Sequence, residues 1–266
     1  IITIIYMNIY NNDCLEEMKN IKDNSIDLIF CDLPYGQTSC KWDCKIDLNL
    51  FWKEIMRIKK LNTPIFFTTT TKFGVELITS APKKCYFRYD IVWVKSSPTG
   101  FLCAKKMPMR KHEMIYVFYE KLPLYDLSSH KHKFIKEDVK KEKDNNNNEE
   151  QIYNKEDCYQ KNKTDDSLRK GYRDKRYNPA LPTSMLEIKS TKGKHSTEKP
   201  VELMEWILKY YSKEGDTILD PTMGSGSTGI ACKNMNRKFI GIEMNKEIYN
   251  IAFERLNIEM PKNNKI

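Results

Sequence analysis

The sequence predicts an α/β protein built on a buried, largely parallel sheet. Three observations carry this. Short, nearly continuous apolar runs recur at residues 25–31, 64–69, 87–94 and 114–119, as expected of strands covered on both faces. Amphipathic stretches alternate with them. The last quarter of the chain repeats the order strand, turn, helix, which is the signature of βαβ units.

The elements follow in order. Residues 4–10 read as a strand, 14–21 as a helix and 25–31 as a strand of continuous apolar character. Residues 48–60 carry Leu50, Phe51, Ile55 and Ile58 on one helical face, so they predict a helix that covers the sheet. Strands are expected at 64–69, 87–94 and 114–119. Toward the C-terminus, 200–211 predicts a helix that opens on Pro200, where the missing N–H costs nothing. Residues 217–219 predict a strand, 227–235 a helix, 238–242 a strand and 246–256 a helix.

Between these halves the composition changes. Residues 131–166 are rich in Lys, Asp, Glu and Asn, including four consecutive asparagines at 145–148. Such a segment buries too little apolar surface to offset its ordering entropy, and a mobile loop is expected. More structure is expected at 122–127 and 173–186. The chain therefore divides into 1–120, a middle region 121–194 and 195–260.

Lys and Arg number 45 against 36 Asp and Glu, a formal charge of +9. That surplus suits a polyanionic partner such as nucleic acid, although charge runs are often simply solvated. The eight cysteines are scattered and read as reduced thiols of an intracellular protein. Cys40 and Cys44 lie close together, but no second pair or nearby His completes a zinc set, and no metal is expected. The apolar residues 1–6 are too short for a signal peptide or a membrane span.

Two turns carry the chemistry. The first spans Asp220-Pro221-Thr222-Met223-Gly224-Ser225-Gly226-Ser227-Thr228, where a strand ends at an acid, glycines turn the chain and a helix begins. Glycines let a ligand approach the backbone, and the helix start offers unpaired N–H groups. Glu243 ends the next strand, where doubly wound sheets bind ribose hydroxyls. Gly224, Gly226 and Gly229 match G-x-G-x-x-G, so an NAD-dependent oxidoreductase is one reading. Against it, four residues separate the strand end from the first glycine, and an acid there repels a pyrophosphate but attracts a cation such as the ammonium of a methionine moiety. No Lys follows Gly226, which excludes a Walker A loop.

The second turn is Cys31-Asp32-Leu33-Pro34-Tyr35-Gly36. An aromatic amine is a poor nucleophile because its lone pair is delocalised into the ring. Two acceptors gripping its hydrogens, the Asp32 carboxylate and a backbone carbonyl, favour a localised lone pair. Pro34 has no competing N–H, and Tyr35 offers a flat face for a base. A buried strand end followed by an ordinary turn would use similar residues.

Together these motifs resemble the β group of amino-methylating DNA methyltransferases. The family's [D/N/S]-P-P-[Y/F/W] motif is similar to Asp32–Tyr35, with Leu33 in place of the first proline; the contact made there is through the backbone carbonyl, which Leu33 can supply. The cofactor motif resembles the 220–228 turn, through Asp220, Thr222, Gly224, Gly226, Ser227 and Thr228. His195-Ser196-Thr197-Glu198-Lys199-Pro200 resembles H-P-T-x-K-P, which implicates Thr197 and Lys199 in cofactor binding. Asn12-Asp13-Cys14-Leu15 resembles G-D-C-L, implying Asp13 near the cofactor adenine. Lys111–Phe118 resembles the strand that closes the catalytic half.

The resemblance implies a Rossmann-like S-adenosylmethionine-dependent methyltransferase fold in circularly permuted motif order, with the catalytic half first and an inserted target-recognition region. It implies S-adenosylmethionine as cofactor, double-stranded DNA as substrate and adenine N6 as the target of Asp32; cytosine N4 stays open. Target choice is assigned to the middle region, with Arg110, Lys111, Arg173, Lys175 and Arg176 as candidate phosphate or base contacts and Tyr172 and Tyr177 interleaved. The resemblance also allows a homodimer. A catalytically silent DNA-binding subunit is the remaining alternative.

Overall fold

The computed structural model describes residues 7–34, 45–132, 177–191 and 198–258. The chain divides into two units, Ile1–Asp126 with Thr183–Ile266, and Leu127–Pro182. In the small unit, short strands at Lys131–His132 and Tyr177–Asn178 pair antiparallel, and His130 Nδ1 lies 2.9 Å from the Pro179 carbonyl.

The large unit holds an eight-stranded sheet. In chain order its strands are β1 (Met7–Tyr10), β2 (Leu28–Cys31), β3 (Ile65–Thr69), β4 (Tyr86–Thr99) and β5 (Arg110–Tyr119). With the small-unit pair counted as β6 and β7, there follow β8 (Met185–Glu187), β9 (Thr217–Asp220) and β10 (Lys238–Ile242). Across the sheet the order is β1-β10-β9-β2-β3-β5-β4-β8. The first five are mutually parallel, β5 runs antiparallel to β3 and β4, and β8 lies parallel to β4. β8 falls within the 121–194 range that the sequence assigns to the middle region, yet it forms an edge of the main sheet.

Helices α1 (Cys14–Met18), α2 (Leu48–Ile58), α3 (Thr71–Ser80), α4 (Val201–Tyr211), α5 (Ser227–Asn234) and α6 (Lys246–Leu256) connect these strands. α2 begins where the Asp47 carboxylate accepts from Asn49 N and Leu50 N at 2.9 and 3.1 Å, a side-chain N-cap. Its buried residues Phe51, Trp52, Ile55 and Ile58 form one stripe, and each buried side chain contributes roughly 1.5–3 kcal/mol. Phe51, Trp52, Phe67 and Phe118 pack their rings together at centroid distances of 5.4–6.2 Å, which pins α2 to β3 and β5.

The connections place the site. From β2 the chain crosses through α2 to β3 on one side; from β9 it crosses through α5 to β10 on the other. β2 and β9 are adjacent, with Ile29 opposite Leu219. The carboxyl ends of these two strands therefore flank a topological switch point, where open α/β sheets bind ligands.

Candidate active site

A cavity of about 650 Å³ opens at that switch point. Asp32, one residue past β2, and Asp220, the last residue of β9, both line it. So do Asp13, Leu33, Pro34, Lys199, Thr222, Gly224, Ser227, Thr228 and Glu243. Two turns 188 residues apart in the chain thus share one chamber because their strands are neighbours.

On the β9 side, Asp220 is buried at 2 % exposure. Its Oδ1 accepts from Thr222 N at 3.2 Å and its Oδ2 from Thr228 Oγ1 at 2.6 Å. Burial raises its pKa to about 7, and although those two hydrogen bonds lower it, the Asp32 and Glu243 carboxylates push the same way as burial. A carboxylate held this way gains from a nearby positive charge. Glu243 follows β10, and its oxygens accept from Asn245 N at 2.7 Å and Gly224 N at 3.2 Å.

Gly224 and Gly226 adopt φ of +53° and +85°, a backbone region that side chains disfavour. Gly226 is also the N-cap of α5. The buried hydroxyls of Thr222 and Ser227 have no hydrogen-bond partner among the described residues. Buried polar groups are rarely left so, and both residues line the cavity. A buried acid, a second carboxylate, a glycine turn and orphaned hydroxyls together form a cradle for a cationic, hydroxyl-bearing ligand.

On the β2 side, the Asp32 Oδ2 accepts from Lys199 Nζ at 2.6 Å, and its Oδ1 accepts from Thr68 Oγ1. Lys199 Nζ also lies 3.6 Å from Glu113, which pairs with Lys95 at 2.9 Å. Charges alternate along this row: Asp32, Lys199, Glu113, Lys95. Burial opposes the Lys199 charge, but Asp32 and Glu113 outweigh it and leave its pKa raised. Lys199 therefore stays an ammonium at neutral pH.

The neighbouring residue ties the other half. Glu198 Oε1 accepts from Arg255 Nη2 at 3.0 Å, and Arg255 Nη1 donates to the Ser225 carbonyl at 2.8 Å. Ser225 Oγ lies 3.3 Å from Glu198 Oε2. Consecutive residues thus reach the glycine turn and the Asp32 turn. Glu198, Arg255, Glu113 and Lys95 did not stand out in the sequence. Glu198 and Glu113 lie inside the quoted stretches, whereas Arg255 and Lys95 leave no local signal.

Asp13 caps α1, accepting from Leu15 N at 2.8 Å and Glu16 N at 3.3 Å. Cys31 adjoins Asp32, but its thiol is buried and its pKa pushed far up by burial; that of Cys14 is raised by burial to about 12. Both are poor nucleophiles. Arg110 and Lys111 are exposed at the start of β5 and do not line the cavity. Tyr35, Gly36, Cys40, Cys44, residues 133–166, Tyr172, Arg173, Lys175, Arg176, His195, Ser196 and Thr197 lie outside the described residues. Among the described residues no cluster of His, Cys, Asp and Glu is suited to a metal, and no helix is long and apolar enough to cross a membrane.

Known proteins are similar to this chain in sequence and in fold. The type II methyltransferase M2.LlaDCHI of Lactococcus lactis subsp. cremoris is 27% identical over 270 residues, covering 92% of this chain and 87% of that protein. The type II methyltransferase M2.DpnII of Streptococcus pneumoniae is 47% identical over a shorter stretch of 77 residues, 29% of each chain. Among solved structures, M1.HpyAVI in complex with SAM superposes with a TM-score of 0.59 at 23% identity, over 94% of this chain and 100% of that one. The PvuII DNA methyltransferase, described as cytosine-N4-specific, gives 0.62 at 14% identity, over 97% and 88%. The sequence model of the N6/N4 DNA methylase family matches residues 26–254, a span that contains both turns and the strands that carry them, and the chain belongs to that family.

Proposed function

We propose that this DNA methylase uses S-adenosylmethionine to methylate the N6 amine of an adenine extruded from double-stranded DNA. One observation carries the reading: Asp32 and Asp220 end adjacent parallel strands and face one cavity.

Asp220, Glu243, Thr222, Ser227, Thr228 and the Gly224–Gly226 turn hold the cofactor, with Asp13, Thr197 and Lys199 assisting. The buried Asp220 carboxylate suits the ammonium, and Glu243 suits the ribose hydroxyls. S-adenosylmethionine supplies a methyl group on a sulfonium, already activated for transfer. The NAD reading fares worse, because an ionisable carboxylate buried at the glycine turn opposes a pyrophosphate.

Asp32 holds one amine hydrogen of the target base and the Leu33 carbonyl the other, so that the nitrogen lone pair localises. Pro34 fixes the backbone between these acceptors and the base-stacking Tyr35. Lys199 occupies the Asp32 carboxylate in the absence of a base; it yields that oxygen to the amine and keeps Glu113 as its second partner. The enzyme works by positioning and by excluding water, with no covalent intermediate. Extruding the base costs roughly a few kcal/mol of unstacking. Arg110, Lys111, Arg173 and Arg176 serve the duplex, and an acid at position 32 favours adenine over cytosine.

The test is methyl transfer from radiolabelled cofactor by Asp32→Ala. Transfer should fall by at least about 100-fold, the range lost when a positioned polar group is removed, while cofactor affinity measured by calorimetry stays within a few-fold. A variant that folds and transfers at near-normal rate rejects the role given to Asp32.

A further inference from the structure

β4 and β5 continue past the cavity as a hairpin. Ser97, Pro98 and Thr99 line the cavity rim, and beyond them the chain turns through Gly100, at φ +90°, into a 3-10 turn at Phe101–Cys103. Every residue from 96 to 112 is exposed. Phe101 is 81 % and Leu102 97 % exposed, a display of large apolar side chains that a solvated tip does not need.

The tip is nevertheless built. Cys103 N, Ala104 N and Lys106 N donate to the carbonyls of Gly100, Phe101 and Cys103 at 3.0, 3.0 and 2.8 Å, and Thr99 pairs with Arg110 across its base. Lys105 and Lys106 follow the apolar pair, Arg110 and Lys111 open the returning strand β5, and no acidic residue occurs between 96 and 112. A hydrogen-bonded apolar tip on a hairpin whose charged residues between 96 and 112 are all basic is complementary to a stacked, polyanionic helix.

We propose that this hairpin is a DNA wedge: Phe101 and Leu102 enter the base stack beside the cavity, while Lys105, Lys106, Arg110 and Lys111 engage the flanking phosphates. The wedge fills the space that the extruded base vacates and so offsets part of the cost of flipping it. The inference rests on the reading of the cavity as a site for DNA methylation. Its position argues for it, since the strand that forms the rim also carries the tip.

The experiment uses the full chain and a short duplex containing the sequence that the wild-type protein marks, identified by single-molecule sequencing. F101A/L102A should bind S-adenosylmethionine as the wild type does. It should methylate the matched duplex roughly 5- to 150-fold more slowly, the rate equivalent of losing one base-stacking contact. With an abasic site opposite the target adenine, where unpairing is already done, most of that loss should disappear. K105S/K106S should reduce the slope of log affinity against log salt by about two.

Equal rates for F101A/L102A and wild type on the matched duplex overturn the wedge, as does an equal loss on both duplexes or an unchanged salt slope. Wild-type protein that dimerises, with F101A/L102A monomeric in sedimentation, assigns the tip to self-association and likewise overturns it. Wild-type protein that transfers no methyl group to any DNA refutes instead the underlying reading of the cavity.

Discussion

Replacing Asp220 with Asn should make the ligand-free protein more stable and the cofactor site nearly useless. The native fold raises the Asp220 pKa from its ordinary 3.8 to about 7, first through burial. Because the folded value lies above the unfolded one, the native state favours the protonated acid. The penalty is absent well below pH 3.8, grows as pH rises, and is complete above about pH 7. At about 1.4 kcal/mol per pH unit, the interval corresponds to ~4 kcal/mol at most, of which roughly 2–3 kcal/mol accrues between pH 5 and pH 8. Asn keeps the acceptor for Thr222 N but must now donate to Thr228 Oγ1, at a cost of about 1 kcal/mol. D220N should therefore be about as stable as wild type at pH 5 and about 2–3 kcal/mol more stable at pH 8, in urea unfolding followed by circular dichroism. In wild type, a cationic ligand requires the ionised acid, so S-adenosylmethionine should bind roughly tenfold more tightly at pH 8 than at pH 6; in D220N calorimetry should find weak binding without that dependence. Uniform destabilisation at both pH values, or an unchanged cofactor affinity, would refute the claim that Asp220 is a strained acid kept for a cation.

Two further predictions concern the frame around the site. E113A leaves Lys199 and Lys95 without their shared carboxylate and should cost about 1–3 kcal/mol in urea unfolding, less than a fully buried pair because both lysines retain some solvent; no loss would mean that the charge row is not coupled. G226A forces a side chain into φ +85°, 3.2 Å from the Ala252 Cβ, and should cost roughly 1–2 kcal/mol together with cofactor affinity; calorimetry and unfolding of the purified variant would both have to be normal to dismiss the constraint.

The parts of the fold that were legible in sequence are those with a strong local signal. α2 announces itself through Phe51, Ile55 and Ile58, and the strand-end acids Asp32 and Asp220 through the apolar runs before them. α3 carries no clear local signal, because Thr71–Ser80 contains Thr, Gly, Val, Ile and Ser, all poor helix formers, and buries only Phe73, Gly74 and Leu77. Its packing against β5 is what holds it: a Cβ at Gly74 would run into the Tyr116 ring. β8 is three residues long and exists through pairing with β4, so nothing local marks it. β4 extends from the expected 87–94 to Tyr86–Thr99 because hairpin pairing, not burial, supports its polar end. In the site, the acids could be read as separate strand ends, but their union required the sheet order. The Glu198–Arg255 pair, 57 residues apart, has no sequence period to betray it.

The most direct measurement is the identity of the modified nucleoside. Unmethylated duplex DNA is incubated with the protein and S-adenosylmethionine, digested to nucleosides and analysed by mass spectrometry. The expected product is N6-methyladenine, formed at least about 100-fold more slowly by D32A. N4-methylcytosine would contradict the assignment of Asp32 to adenine, and unmodified DNA beside an intact, cofactor-bound protein would contradict the proposed chemistry of the cavity.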